Sequence, residues 1–517
     1  METKNKTNFV KEYQPGAQAR VELKNGRILD VVNGRYHKAG TRIILKDKKI
    51  EAMTGPDGEG SGTEPDFTID LHGQSVLPGL FNTHIHGPES SPAQFPGFRD
   101  RRIVKKHEED QIINNMAECL AHGITTLRHA GFIADLRVNR SRFERFSSAG
   151  IPAPRMLQAV VVGPTGSYMQ EDLPLWMKML GMPQVDPSQS YAGAVAFPVD
   201  AGEEQVRQAV DIAIDERGAD VIKIGDESYS MIGRKAVPLM TIEQLSVLVD
   251  QARLRGVETM MHHTSIESLK RGIEAGVSSL EHVPFDALLS EEDAQSLQAS
   301  GIFCEPTLSA FYPAFSWKLP GENSHHDLEL DRLTEFRENA YTFHDIADNY
   351  YVPELRDGVM NGYRSVTAGK PKIMGVIDNS GFFRWDSKAA NTFKNFVQLY
   401  TAGVPMATGN DTVAPCTPAM VDLEIQMFAH VLEGIPERPS FSGADAVKIA
   451  TINCARSLGL DGDLGSIETG KTADLVILDG DPLEDIHLIG SRVSALFKDG
   501  RLIINNCDLE VEANRQS

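Results

Sequence analysis

The chain has 517 residues, with 51 Lys and Arg against 72 Asp and Glu, which gives a formal net charge of −21. With 41% hydrophobic and 24% charged residues its composition is that of an ordinary globular protein, which excludes a disordered or fibrous chain. The acidic balance repels phosphate backbones and anionic lipid, so we expect neither nucleic acid nor a membrane surface as a partner.

Cysteine usage and the N-terminal residues bear on localisation. Five cysteines are scattered along the chain without a Cys-X-X-Cys pair, which is typical of a reducing compartment. The first residues contain no apolar run like that of a secretory signal, and no window approaches the ~20 apolar residues of a membrane span. We therefore expect a cytoplasmic protein. Length alone predicts roughly three domains of ~150 residues, although an α/β barrel holds more.

Both ends of the chain show the short patterns of strands broken by Gly, Pro and Asp. Predicted strands lie at 21–23, 41–45 and 67–71, with a loop at 54–65, and again at 473–478 and 493–500. Neither end alone has enough strands to bury a core. We therefore predict one small β-sandwich domain built from residues 16–77 and 462–517.

The middle of the chain, residues 78–461, alternates short apolar runs with amphipathic helices. Apolar residues recur at steps of three and four in the predicted helices 203–216, 242–255, 265–274 and 443–458. Eight predicted strands end near His86, Arg128, Val162, Ile224, His262, His282, Thr307 and Asp411. This alternation predicts an α/β fold of the (β/α)8 TIM-barrel type.

Two stretches, at about 166–200 and 305–404, are longer than ordinary barrel connections. The first contains a run rich in Met, Leu and Trp at 168–182, and the second is rich in Phe and Tyr. Long insertions in compact domains are usually functional lids or interaction segments, and the alternative is a surface helix or an oligomer contact. The sequence favours neither alternative.

Six residues with metal-binding or basic side chains lie at the ends of apolar runs: His84, His86, Lys223, His262, His282 and Asp411. On a strand, residues i and i+2 face the same side, so His84 and His86 can bind the same ion. In a barrel the C-terminal ends of the strands meet at one mouth, where active sites lie. Imidazoles with a carboxylate in that mouth form a metal site of the nitrogen and oxygen type.

Each of these features has an ordinary structural explanation when taken alone. A His-X-His pair on a strand is more often packing than a ligand pair, and a strand-end Asp is usually a helix cap. Lys223 could extend its ammonium to solvent, although burial in Val-Ile-Lys-Ile would be costly. The joint occurrence of these residues on successive strands is what favours a metal site.

Several stretches resemble the metal-dependent amidohydrolase superfamily. They are 75–87 (SVLPGLFNTHIHG), 123–128 (GITTLR), 279–282 (SLEH), 408–411 (TGND), 453–460 (NCARSLGL) and 465–476 (GSIETGKTADLV). The likeness covers nearly the whole chain in the superfamily's order. Within it, the chain resembles the imidazolonepropionase-like branch that contains binuclear prolidases and ochratoxinase-type amidases, whose carboxylated lysine matches Lys223.

The resemblance implies a ligand assignment and a reaction. His84, His86 and Asp411 hold the buried ion, His262 and His282 hold the outer ion, and a carboxylated Lys223 bridges the two. Zn²⁺ is the expected ion, with Mn²⁺ or Co²⁺ as alternatives. A metal-bridging hydroxide attacks a carbonyl carbon polarised by the outer ion, and Asp411 transfers the proton to the leaving amine.

Two adjacent histidines compete for the position on the fifth strand. His262 lies twenty residues before His282, the spacing that the branch shows, while His263 lies one residue nearer. We therefore assign the ligand to His262 and not to His263.

The chain departs from the resembled pattern at two places near the predicted mouth. His129 stands where many relatives carry Asp, and we expect a buried hydrogen-bonded histidine rather than a seventh ligand. Gly225-Asp226-Glu227-Ser228-Tyr229 replaces a Gly-Gly loop, so dipeptidase specificity does not transfer. Candidate substrate contacts are Tyr229, His129 and Tyr168. A purely structural role for Tyr229 agrees equally well with the sequence.

The predicted function is hydrolysis of an amide-type C–N bond in a small molecule. The apolar run at 168–182 favours an aromatic or apolar amide, carbamate or N-acyl amino acid. The alternatives are an Xaa-Pro dipeptidase, a deaminase and a catalytically silent scaffold protein. The resemblance also implies a homo-oligomer.

Overall fold

The computed structural model describes residues 7–16, 18–55, 64–86, 101–131, 136–170, 193–230, 235–311, 343–358, 385–412, 416–433 and 440–514. These residues form strands and helices that divide between a barrel and a pair of flanking sheets. Of the apolar run predicted at 168–182, residues 171–182 lie outside the described residues. The same holds for residues 312–342 and 359–384 of the second predicted insertion.

The strands are short and follow the chain in this order. They are β1 (Arg20–Lys24), β2 (Arg27–Asp30), β3 (Arg35–Tyr36), β4 (Arg42–Lys46), β5 (Lys49–Thr54), β6 (Phe67–Asp70), β7 (Ser75–Pro78), β8 (Leu80–Ile85), β9 (Ile124–His129), β10 (Arg155–Pro164), β11 (Ala194–Phe197), β12 (Val221–Gly225), β13 (Tyr229–Ser230), β14 (Lys235–Ala236), β15 (Glu258–His262), β16 (Ser279–Glu281), β17 (Phe303–Glu305), β18 (Leu475–Leu478), β19 (Ala495–Lys498), β20 (Arg501–Asn505) and β21 (Glu512–Ala513).

The helices lie mainly between the barrel strands. They are α1 (Arg101–Ala121), α2 (Leu136–Ser148), α3 (Glu203–Asp215), α4 (Ile242–Leu254), α5 (Ile266–Ala275), α6 (Glu291–Ser300), α7 (Phe343–Tyr350), α8 (Trp385–Thr401), α9 (Val421–Leu432), α10 (Gly443–Lys448) and α11 (Cys454–Ser457). A π-helical turn at Ile449–Asn453 joins the last two.

Helix α4 shows how the local sequence sets these boundaries. Thr241 accepts a hydrogen bond from the backbone N–H of Gln244, whose side chain accepts one from the N–H of Thr241. This reciprocal pair satisfies two donors that the first turn leaves open. Leu245 and Leu248 then recur on one buried face, so the helix packs against the barrel.

Seven strands form a parallel barrel sheet in the order β8, β9, β10, β12, β15, β16 and β17, with β11 paired to β10. A parallel bridge joins Cys304 to Met406, and the N–H of Thr83 donates to the carbonyl of Thr408 at 2.9 Å. The Met406–Thr408 segment therefore lies between β17 and β8, in the place of the eighth barrel strand, and closes the barrel. The predicted TIM-like barrel is confirmed.

Strands from both chain ends form two further sheets. One has the order β20-β19-β18-β7-β2-β3, and the other has the order β21-β6-β1-β4-β5. Side chains of both sheets share one buried cluster that includes Val21, Ile43, Val76, Ile477 and Phe497. Each of the two sheets contains strands from both ends of the chain, which confirms the predicted small β-sandwich.

Part of the first predicted insertion belongs to the barrel. Ala194–Phe197 forms β11, which runs parallel to β10 with Val162 opposite Val195. The sequence prediction missed this strand because its four residues are too few to show a period. Among the residues that the structure describes, no helix combines the length and apolar character needed to cross a membrane.

Candidate metal centre

The first donor set lies where β8 meets the eighth barrel segment. The Nε2 atoms of His84 and His86 are 3.4 Å apart. The Oδ1 atom of Asp411 lies 3.4 Å from the first and 3.0 Å from the second. Three possible ligand atoms thus converge on one point, as the alternation of side chains on a strand allows.

Backbone packing fixes this first set. The N–H of Asp411 donates to the carbonyl of His84 at 2.8 Å, and Asp411 has a φ of +54°. A Cβ atom on Gly409 would lie 2.5 Å from the Cβ of His84, so the approach of the two segments requires glycine. The Nδ1 atom of His86 lies 3.1 Å from the carbonyl oxygen of Gly131, which leaves Nε2 to face Asp411.

The second donor set consists of His262, the last residue of β15, and His282, which directly follows β16. The Nδ1 atom of His262 lies 2.9 Å from Nε2 of His282, and the ring centroids are 4.6 Å apart. The other nitrogen of His282, Nδ1, lies 2.7 Å from Oγ1 of Thr307. His84 and His282 have ring centroids 5.1 Å apart, so the two donor sets adjoin.

His263 points away from the second set. Its Nδ1 atom lies 2.9 Å from the carbonyl oxygen of Glu281. Of the two adjacent histidines, the structure brings His262 to His282, which is the arrangement that the sequence spacing favours.

Lys223 lies on β12 and is fully buried. Its Nζ atom has no hydrogen-bond partner among the described residues. Burial, with a smaller contribution from Arg128, lowers the pKa of Lys223 to about 8 despite the opposing charges of Glu281 and Asp411. The amine is therefore far easier to deprotonate than an exposed lysine.

The buried imidazoles are neutral at neutral pH. Burial, reinforced by Lys223, lowers the pKa of His84 to about 4, and burial lowers the pKa of His282 to about 3. Burial together with the neighbouring His282 also holds the pKa of His262 well below its usual value. Burial opposes ionisation of Asp411, but His84 and His86 outweigh it and lower the pKa of that carboxyl. A set of neutral imidazoles and one carboxylate is the ligand form that divalent ions require.

The three candidate substrate contacts lie in different environments. The ring of Tyr168 packs against His262 with centroids 4.7 Å apart, and Tyr229 is 52% exposed on β13, which pairs antiparallel with β14. His129 is buried, and its Nδ1 accepts a hydrogen bond from the N–H of Gly131 at 2.9 Å. Of the three, Tyr168 and His129 adjoin the donor sets, whereas Tyr229 lies at the surface.

Sequence reasoning missed several buried polar residues beneath the donor sets. Arg128, Glu281 and Glu305 form one ion cluster inside the barrel. Arg128 and His84 outweigh the effect of burial and lower the pKa of Glu281, whereas burial and the adjacent Glu281 raise that of Glu305. The sequence feature that could have revealed this cluster is a charged residue inside each of three otherwise apolar strands.

A further missed residue is Glu424 on α9. Its carboxylate accepts hydrogen bonds from the N–H groups of Leu308 at 2.8 Å and Ser309 at 2.6 Å. Burial raises the pKa of Glu424 to about 7. This contact holds the turn that carries Thr307, which in turn contacts His282.

The residues present fit divalent metal ions. Two imidazoles and one carboxylate converge in the first donor set, and two further imidazoles face each other in the second. The buried Nζ of Lys223 has no hydrogen-bond partner among the described residues. An unpaired buried amine is costly unless a bound group compensates it. These donors lie at the C-terminal ends of the strands of a parallel barrel, the face at which barrel enzymes carry their active sites, and they form a candidate metal site there.

The family model of the amidohydrolase family matches residues 75–503, and the chain therefore belongs to that family. Ochratoxinase from Aspergillus niger is 25% identical over 324 residues, which cover 62% of this chain and 53% of that protein. The chain thus spans about half the length of this curated relative.

Solved structures share the fold. The Aspergillus niger ochratoxinase structure superposes with a TM-score of 0.62 at 20% identity, covering 94% of this chain and 96% of that one. A Xaa-Pro dipeptidase with bound methionine in its active site gives 0.61 at 22% identity, covering 94% and 100%. Molinate hydrolase gives 0.61 at 19% identity, covering 95% of each.

Proposed function

We propose that the chain is a binuclear metal-dependent hydrolase that cleaves an amide-type C–N bond of a small apolar or aromatic amide, carbamate or N-acyl amino acid. The observation that carries the proposal is the convergence of His84, His86 and Asp411 next to the pair His262 and His282. The buried Nζ of Lys223 has no hydrogen-bond partner among the described residues, and its charge adds to burial in lowering the pKa values of His84, His262 and His282. Membership of the amidohydrolase family supports hydrolysis at such a bond.

His84, His86 and Asp411 would hold the inner ion, and His262 and His282 the outer ion. The lowered pKa of Lys223 supports its reaction with CO2, in which a new N–C bond forms and one amine proton is released. The resulting carbamate would bridge the ions and balance part of their charge. The mixed imidazole and carboxylate set favours Zn²⁺, with Mn²⁺ or Co²⁺ as alternatives.

When bound, such ions supply a water acidic enough to act as a nucleophile near neutral pH and polarise the carbonyl under attack. Asp411 has a carboxylate that stays ionised at neutral pH beside the Nε2 atoms of His84 and His86. It can therefore accept the proton of the attacking water and then deliver it to the departing nitrogen. This transfer turns a poor leaving amide anion into a neutral amine.

Tyr168 supports an apolar or aromatic substrate. Its buried ring lies against His262 and belongs to an apolar cluster with Val161 and Val237. An aryl or branched group beside the outer donor set would contact these side chains rather than water.

An Xaa-Pro dipeptidase is the second candidate, since a structural relative carries that name. A substrate panel containing an anilide, an N-acyl aromatic amino acid and an Xaa-Pro dipeptide separates the two. Release of two organic fragments from the anilide or the N-acyl aromatic amino acid would support the proposal, and exclusive cleavage of the dipeptide would overturn it. Ammonia without a second organic fragment would indicate a deaminase, and purified protein that binds no metal would indicate a scaffold.

A further inference from the structure

A buried ion cluster lies inside the barrel next to the first donor set. Arg128 on β9, Glu281 on β16 and Glu305 on β17 have fully buried side chains. Glu281 and Glu305 are opposite each other on neighbouring parallel strands. The Nη2 atom of Arg128 donates to both carboxylates, and its Nε donates to the carbonyl of Thr83 beside His84.

Within this cluster, only Glu281 contacts a residue of the two donor sets among the described side chains. Its Oε2 atom is hydrogen-bonded to Nδ1 of His84. Its Oε1 atom accepts from Arg128 at 2.9 Å and from Oγ of Ser279 at 2.7 Å. Both oxygens are thus engaged, and the carboxylate cannot rotate away from His84 without losing hydrogen bonds.

The cluster is not a further cation site, although ligand atoms of His84, Glu281 and Glu305 lie close enough to one another to suggest one. The guanidinium of Arg128 already occupies the space between the two carboxylates and stays charged at every relevant pH. A second cation there would be repelled, so the carboxylates have another role.

We propose that Glu281 is a positioning residue for the inner ion. By accepting from Nδ1–H of His84, it fixes the tautomer that leaves the Nε2 lone pair facing His86 and Asp411. A carboxylate acceptor also makes the imidazole a stronger donor, and partners of this kind raise metal affinity roughly 10- to 100-fold. Arg128 clamps Glu281 so that this orientation exists before any ion binds.

This inference rests on the proposed function, because it assumes that His84 is a ligand. The chain offers a matched control in Glu305, which has the same side chain and burial and the same Arg128 partner. Among the described residues, the carboxyl group of Glu305 has no hydrogen bond to a histidine ring; besides Arg128 it contacts Thr83 and Glu281, and Oγ of Ser457 at 3.5 Å. The N–H of His282 donates to the backbone carbonyl of Glu305, a contact that a side-chain substitution keeps.

The test compares Glu281→Gln with Glu305→Gln by titrating Zn²⁺ against a competing chelator. We expect Glu281→Gln to weaken the tighter-bound inner ion by roughly 10- to 100-fold and to leave the outer ion unchanged. We expect Glu305→Gln to leave both affinities unchanged. Equal losses in the two variants, or no loss in Glu281→Gln, would overturn the inference.

A second measurement needs no variant and therefore does not depend on whether Glu281→Gln folds. Nitrogen-15 NMR of the histidines in metal-free wild-type protein reports which ring nitrogen of His84 carries the proton. We expect Nδ1–H for His84, and a proton on Nε2 overturns the inference. If wild-type protein shows this tautomer but binds no Zn²⁺, the proposed function fails while the positioning contact stands.

Discussion

The Nδ1 atom of His262 and the Nε2 atom of His282 face each other at 2.9 Å inside the barrel. Two neutral imidazole nitrogens at this separation require a proton on one of them or a shared cation. Thr307 contacts the other nitrogen of His282 and has a φ of +49°, a conformation that β-branched residues rarely adopt. Strain of this kind persists where the surrounding structure demands it, and it is concentrated at functional sites.

Substitution Thr307→Val tests this contact. Valine keeps the branching at Cβ, so the backbone strain is unchanged while the hydroxyl that contacts Nδ1 of His282 is lost. We expect the outer ion to bind roughly 10- to 100-fold more weakly, measured by chelator competition. Thr259→Val, at a buried position that contacts Ser278 instead, serves as the control. Unchanged affinity in Thr307→Val would remove this role from the hydroxyl.

Substitution of Lys223 tests the proposed bridge. We expect Lys223→Ala to abolish turnover and to regain part of it with acetate or propionate, because a small acid enters the vacated space and supplies the missing carboxylate. Lys223→Met fills the same space with an apolar chain, so added acid is expected to have no effect. Steady-state rates with and without acid give the comparison, and full activity in Lys223→Ala contradicts the bridge.

Gly409→Ala tests the close approach between the eighth segment and β8. The new Cβ would lie 2.5 Å from the Cβ of His84 and 3.0 Å from its backbone nitrogen. Since backbone cannot yield easily, we expect a loss of about 1–3 kcal/mol in unfolding free energy and weaker binding at the inner site. Gly462→Ala, where the added Cβ meets nothing within 4 Å, is the control for denaturant unfolding. Equal stability of both variants would refute the packing argument.

His122 predicts a dependence of stability on pH that does not involve the donor sets. Burial lowers its folded-state pKa to about 4 from 6.5, while its Nδ1 lies 2.6 Å from the carbonyl of Gly490. Between these two values the unfolded chain binds a proton that the folded chain excludes, so stability falls as pH drops from 6.5 to 4. The expected loss from this residue is about 3 kcal/mol.

Urea unfolding of wild type and His122→Asn at pH 7 and pH 4 measures this contribution of His122 to the free energy of unfolding. We expect the variant to be less stable at pH 7, where the histidine is packed and neutral, but to lose about 3 kcal/mol less on acidification. Parallel losses in both proteins would show that His122 ionises freely in the folded state.

Local pattern was enough to predict the strand-end residues, since the alternation of His84 and His86 and the apolar runs before His262 and His282 lie within a few residues. The cluster of Arg128 with Glu281 and Glu305 could not be predicted in the same way. Its partners are separated by 153 and 177 residues and meet only because the barrel closes. Glu424 reaches Leu308 across 116 residues for the same reason.

The measurement that tests the central claim most directly is the number of metal ions per chain together with turnover as ions are restored. After chelation and stepwise addition of Zn²⁺, we expect no cleavage of an anilide or N-acyl aromatic amino acid in the metal-free protein. Full activity is expected only when two ions per chain are bound. Full activity with one ion, or in protein free of metal, would contradict the binuclear centre.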